Sequence, residues 1–183
     1  MKKKLISLIA AGLSCMMLLG GCGKNNTGGA GKNAAKDSEQ VLNTVYFDVA
    51  TLDANDVTDN QSSSILNAVQ EGLVRIENNG ESDEIVPAGA EKWETSEDGL
   101  TWTFHLRDGL KWSDGSDLTA EDFVYSWQRV CDPNVAAPYA STVLGMVEGF
   151  DEAAAGDIEK LGVEAKDDKT FVVHLANPCP YFE

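Results

Sequence analysis

PAGAEKWETSEDGLTWTFHLRDGLKWSDGSDLTAEDFVYSWQR, residues Pro87 to Arg129, carries two periodicities in succession. From Leu100 the pattern alternates: Leu100, Trp102, Phe104 and Leu106 share one side, and Thr101, Thr103, His105 and Arg107 the other. Period two, built from aromatic and β-branched residues, predicts a half-buried strand. Asp98-Gly99 just ahead of it suits a tight turn, because glycine accepts positive φ without steric cost. Asp108-Gly109 and Asp114-Gly115 repeat that punctuation. The period then changes. Thr119 is placed to cap a helix, and Glu121 and Asp122 lie where the helix dipole favours negative charge. Phe123, Val124, Trp127, Val130 and Cys131 recur at helical spacing. Asp132-Pro133 ends the run. The stretch predicts a hairpin, a second turn and a capped amphipathic helix, which is a mixed α/β unit.

Upstream, residues 1–21 read as a secretory signal peptide. Lys2, Lys3 and Lys4 precede an apolar run from Leu5 to Leu19, too short to span a bilayer comfortably, and small Gly20 and Gly21 follow. Residues 22–40 are rich in Gly, Asn, Ala and Lys and hold no large apolar cluster, so they read as a flexible linker. Val41 to Val49 alternates and predicts a strand. Asp53, Asn55, Asp56 and Asp59 have the spacing of a calcium loop. Thr58 stands where that loop needs Gly, however, and Ser64 where it needs Glu, so a solvated acidic loop is expected. Ser62 to Ser64 are placed to cap a helix with apolar positions Ile65, Leu66, Val69 and Leu73. Leu73 to Ile85 predicts a strand, an Asn78-Asn79-Gly80 turn and a short return.

Downstream, Ala137-Pro138-Tyr139-Ala140-Ser141 leads into a second predicted helix. Val143, Leu144, Val147, Phe150 and Ala154 line it, and Gly156 is its stop. Between Lys160 and Ala176 one strand is expected, with Phe171, Val173 and Leu175 on a shared face and Asn177-Pro178 as its breaker.

The chemistry of the chain excludes several function classes. The net charge is −16; three lysines and no acids precede Cys22, so cleavage there takes it to about −19. Nucleic-acid binding requires a basic face, which this balance opposes. No phosphate-binding loop, nucleophile elbow or metal-ligand spacing is present. His105 and His174 sit on predicted strands without a positioned nucleophile and acid. Capping accounts for Asp114 and Asp122 better than an acid/base pair does. No enzyme activity, catalytic residue, metal or cofactor is expected. Trp93, Trp102, Trp112 and Trp127 suggest packing ahead of sugar stacking. Beyond Cys15 and Cys22, Cys131 and Cys179 remain. An exported compartment permits a disulfide between them, while the place of Cys131 on an apolar stripe suits a free thiol acting as a small hydrophobe.

A family resemblance enters through Glu91-Lys92-Trp93, Asp98-Gly99-Leu100, Thr103 to Arg107, Lys111 to Gly115 and Thr119 to Arg129. With Leu52-Asp53, Glu71-Gly72-Leu73, Leu161-Gly162-Val163 and Pro180-Tyr181-Phe182, these make the chain similar to the extracellular solute-binding proteins, family 5, that serve ABC importers. The likeness is to the oligopeptide-binding branch. It implies an α/β chain forming the N-terminal part of a two-lobed periplasmic-binding-protein-like (type II) fold, incomplete here. Residues 41–72 would begin lobe I, and 73–183 would be a small, truncated α/β subdomain attached to it. Leu19-Gly20-Gly21-Cys22 resembles the bacterial lipobox. It implies lipidation at Cys22, a lipid-anchored tether over 22–40 and an extracytoplasmic location at the bacterial membrane. The implied partners are a peptide ligand, an ABC permease and the membrane, with no nucleic acid. A receptor for peptides of varied sequence should read main chain, and an exposed extended segment can do so as an added strand. By resemblance that segment is Thr58-Asp59-Asn60, with Tyr139 lining the cleft. The implied mechanism is closure of two lobes around the ligand. Same-fold receptors for dipeptides, nickel or haem complexes or sugars remain alternatives, as does a surface lipoprotein without a transport role.

Overall fold

The computed structural model describes residues 48–182. Cys22, the signal and tether segments and the expected strand over 41–47 lie outside the described residues. The end of that strand which is described, Asp48 to Ala50, is irregular chain.

The first helix, α1, is Asn60–Val69. It begins earlier than its serines suggest, because Asp59 is the N-cap: its carboxylate accepts from Ser62 N–H at 2.8 Å. Ser62 is instead buried inside the first turn. A two-stranded hairpin follows, β1 (Val74–Asn78) against β2 (Asp83–Pro87), antiparallel with Ile76 opposite Ile85. Backbone bonds join it to the segments on either side: Gly89 N–H donates to Gly72 C=O at 2.9 Å, and Ala90 N–H to Leu73 C=O at 2.9 Å. A Cβ on Gly89 would stand 2.8 Å from the Gly72 carbonyl oxygen, so this close approach needs glycine.

The main sheet has four antiparallel strands in the order β3-β4-β6-β5. They are β3 (Ala90–Thr95), β4 (Thr101–Leu106), β5 (Val163–Asp167) and β6 (Thr170–His174). In β4 the expected alternation holds: Trp102, Phe104 and Leu106 are buried, and Thr101, Thr103 and His105 are half-buried. The long helix α2 (Ala120–Cys131) packs on the sheet through Phe123, Val124, Trp127 and Val130. Its start is closed by Asp122, whose carboxylate accepts from Thr119 N–H at 2.8 Å and from its hydroxyl at 3.3 Å. The Phe171 ring meets Phe123 at 5.8 Å, Trp127 edge-on at 5.2 Å and Phe104 at 6.3 Å. This aromatic cluster is the centre of the core.

Two expectations need correction. The run from Val143 to Ala154 is not one helix but two short ones, α3 (Ala140–Leu144) and α4 (Phe150–Ala154). Between them Val147 forms an antiparallel bridge with Leu175, and Glu148 N–H donates to His174 C=O at 2.9 Å. Gly149 turns the chain at φ 71. The region from Lys160 to Ala176 holds two strands rather than one. A short 3₁₀ turn, Ile158–Lys160, precedes β5, which the sequence masks because Glu164, Lys166 and Asp167 dilute its apolar signal.

The tryptophans pack largely as expected. Trp102 is buried and Trp93 and Trp127 are half-buried against the core, while Trp112 is 49% exposed in the Lys111 to Asp117 turn. Cys131 and Cys179 are both buried free thiols. Burial pushes the Cys131 thiol up.

Candidate functional site

Segment 51–62, which holds Thr58, Asp59 and Asn60, meets helix α2 through Asp53. Asp53 is the centre of this junction. Arg129 presents both terminal nitrogens to it, Nη1 to Oδ1 at 2.9 Å and Nη2 to Oδ2 at 2.6 Å. Such a fork is the strongest form of the guanidinium–carboxylate contact. Asp53 Oδ1 also accepts from Asn55 N–H at 3.0 Å, and its backbone C=O accepts from Asp56 N–H at 3.1 Å. The Arg129 hydrogen bonds, helped by Asn55 N–H, pull the Asp53 carboxyl down to about 2. In return the Arg129 guanidinium is held more firmly protonated.

Thr58, Asp59 and Asn60 stand at the end of this segment. Asp59 has extended backbone, φ −116 and ψ 153. Its carboxylate is occupied by Ser62 N–H, which lowers its pKa, and its C=O accepts from Ser63 N–H at 3.1 Å and Ser63 Oγ at 2.8 Å. Asn60 is already helical, and its C=O accepts from Ser64 Oγ at 2.7 Å. Thr58 is exposed, and neither its N–H nor its C=O enters a backbone hydrogen bond with the described residues. Among the described residues, the Thr58 N–H and C=O and the N–H groups of Asp59 and Asn60 take no backbone partner, while the Asn60 carbonyl is taken.

Tyr139 precedes α3 at its N-cap, and its C=O accepts from Thr142 N–H at 2.9 Å and Val143 N–H at 3.0 Å. Its side chain makes no hydrogen bond or ring contact with Thr58, Asp59 or Asn60, and the residue is 52% exposed. An apolar groove of about 340 Å³ runs beside α2 and α3, lined by Trp127, Val130, Val143, Met146, Tyr181 and Phe182 among others. Sequence reasoning placed Asp53 and Arg129 inside separate motifs and missed that they meet. They are 76 positions apart, so no local period could pair them.

His105 Nε2 lies 3.2 Å from Glu94 on the sheet, and His174 lies 3.3 Å from Thr101 Oγ1. The other ring nitrogen of His174, Nε2, lies 3.5 Å from Glu164. Among the described residues no group of three or more His, Cys, Asp or Glu side chains is placed to hold a metal, which includes the Asp53 to Asp59 loop. Among the same residues no helix is long and apolar enough to cross a membrane.

Comparison with known proteins gives this geometry its context. The periplasmic oligopeptide-binding protein OppA of Salmonella typhimurium is 40% identical over 179 residues, 96% of this chain and 32% of that protein. The structure of Haemophilus influenzae OppA in complex with the peptide RPPGFSPFR superposes with a TM-score of 0.67 at 44% identity, covering 72% of this chain and 26% of that one. Listeria monocytogenes OppA bound to peptide gives a TM-score of 0.70 at 36% identity, with 79% and 28% covered. The chain thus spans about a third of the length of the curated relatives it matches, and its fold corresponds to part of a two-lobed periplasmic binding protein. The model for bacterial extracellular solute-binding proteins, family 5, matches residues 84–183, and this chain belongs to that family.

Proposed function

We propose that this chain is part of the peptide receptor of an ABC importer, binding oligopeptides mainly through main-chain pairing. The observation that carries the reading is the likeness, across nearly the whole chain, to a protein named for oligopeptide binding. That the Thr58 N–H and C=O and the Asp59 N–H take no backbone partner among the described residues supports it. Peptides of unrelated sequence share only their backbone, and an exposed extended segment can bond that backbone as a neighbouring strand. Asp59 and Asn60 contribute by fixing where α1 begins, and Tyr139 offers an exposed ring and hydroxyl as a second contact. Residues 41–72 begin the first lobe, and 73–183 form most of its small α/β subdomain. The second lobe closes over the ligand, and the closed form docks on the permease. No catalytic role is assigned, since the relatives are named for binding.

Residues 1–21 are the signal, and Cys22 carries the lipid. A diacylglycerol with an amide-linked chain supplies the two hydrophobic anchors that stable attachment requires. The polar segment 22–40 then holds the receptor at the extracytoplasmic face.

Titration calorimetry of the full-length protein tests the binding. Peptides of unrelated sequence are expected to bind with similar affinity, and Thr58→Pro, which removes the N–H donor, to weaken all of them. Binding of haem, nickel complexes or sugars in place of peptides overturns the reading. For the anchor, Cys22→Ser is expected to release the protein from the membrane fraction, and its retention there refutes lipidation.

A further inference from the structure

Segment 51–62 is closed on itself by a chain of hydrogen bonds that leads from the free main-chain groups to a distant cation. Asp59 Oδ1 accepts from Ser62 N–H at 2.8 Å. The fully buried Ser62 Oγ accepts from Thr51 N–H at 3.3 Å. Thr51 Oγ1 accepts from Asp53 N–H at 3.0 Å. Asp53, finally, takes the two-pronged contact from Arg129 on helix α2. The two arms of the segment, 51–53 and 59–62, are thus tied to each other and, through Asp53, to the rigid helix.

We propose that Arg129 is a positioning residue for peptide binding: through Asp53 it holds residues 51–60 in the conformer that presents Thr58 and Asp59 to the ligand backbone. The proposal rests on the main-chain pairing reading above. Arg129 and Asp53 side chains keep 33% and 39% of their exposure, so water screens the pair and its share of global stability is small. Its value lies in geometry. A guanidinium fork fixes both distance and orientation of a carboxylate, which a lysine ammonium does not. If losing it leaves the segment in the presenting conformer only a tenth of the time, apparent affinity falls by roughly tenfold with no peptide contact removed.

The test uses the full-length protein, with calorimetry against a nonapeptide and amide hydrogen exchange over residues 51–63. Arg129→Gln and Asp53→Asn are each expected to weaken binding roughly tenfold, and the double variant no further, because the two act as one unit. Arg129→Lys should recover only part of the affinity. Peptide-free exchange at the bonded amides of Asp53, Asp56 and Ser62 should quicken in Arg129→Gln, while its thermal midpoint moves by under about 2 °C. Wild-type affinity with unchanged exchange in Arg129→Gln overturns the positioning role and leaves the pairing reading standing. If peptide gives Thr58 and Asp59 amides no protection in the wild-type protein, the pairing reading fails and takes the positioning role with it.

Discussion

Asp53 shows what a single residue can gain from a partner far along the chain. Its carboxyl sits at about 2 instead of 3.8, chiefly because Arg129 bonds the charged form. A folded-state value below the unfolded one means that the interaction stabilises above pH ~4 and is lost as pH falls toward 2. The unfolding free energies of wild type and Asp53→Asn should therefore differ by a constant amount above about pH 5 and converge below it. A gap in urea denaturation that stays fixed down to pH 2 would remove Arg129 as the cause. The sequence places Asp53 in a polar loop and in the Leu52-Asp53 match, and neither names its partner. Gly149 was hidden in the same way. It falls between Val147 and Phe150 in a run with helical spacing, where a glycine is merely tolerated. The structure gives it φ 71 and sets the Lys160 carbonyl oxygen 1.9 Å from where a Cβ would stand. What breaks the helix is a neighbour eleven positions later, and no local pattern reports it.

Elements were legible where their burial was one-sided. β4 alternates because one face meets α2 and the other is half-open, so its period is printed in the sequence. β6 was read from Phe171, Val173 and Leu175, which the structure puts in the core. Val172, on the other face, is fully buried as well. A strand buried on both faces loses its alternation. Edge strand β5 was missed, with too few apolar positions to mark it. The helix α2 was legible throughout, because its cap, its stripe and its proline stop all lie within its own residues. The weight of the packing falls where β6 meets this helix. Phe171 touches three other aromatic rings from β4 and α2, so Phe171→Ala opens a cavity that neither layer can close alone. It should cost about 3–5 kcal/mol in urea denaturation. A loss below about 1 kcal/mol would mean that the sheet and helix are not held through this ring.

At the scale of the molecule, the family could be read from long matching runs, while the proposed site came only through that resemblance, because main-chain groups leave no residue signature. That property also limits what these residues can do unaided. Among the described residues, segment 58–60 has at most four main-chain groups without a backbone partner: Thr58 N–H, Thr58 C=O, Asp59 N–H and Asn60 N–H. A net hydrogen bond in water contributes about 0.5–1.5 kcal/mol, so four contribute roughly 2–6 kcal/mol. Association costs at least about 4 kcal/mol in lost translational and rotational freedom, before any ordering of the peptide. The surplus falls short of the ~4.1 kcal/mol that corresponds to millimolar affinity. Pairing at this edge becomes useful only when other walls exclude water and add contacts, which is what closing two lobes accomplishes. A polypeptide of residues 41–183 alone is therefore expected to show no binding in calorimetry with mixed short peptides, while the full-length receptor binds them. Sub-millimolar binding by the shorter polypeptide would mean that the groove along α2 and α3, or the exposed Tyr139, grips side chains directly, and main-chain pairing would no longer be the principal source of affinity.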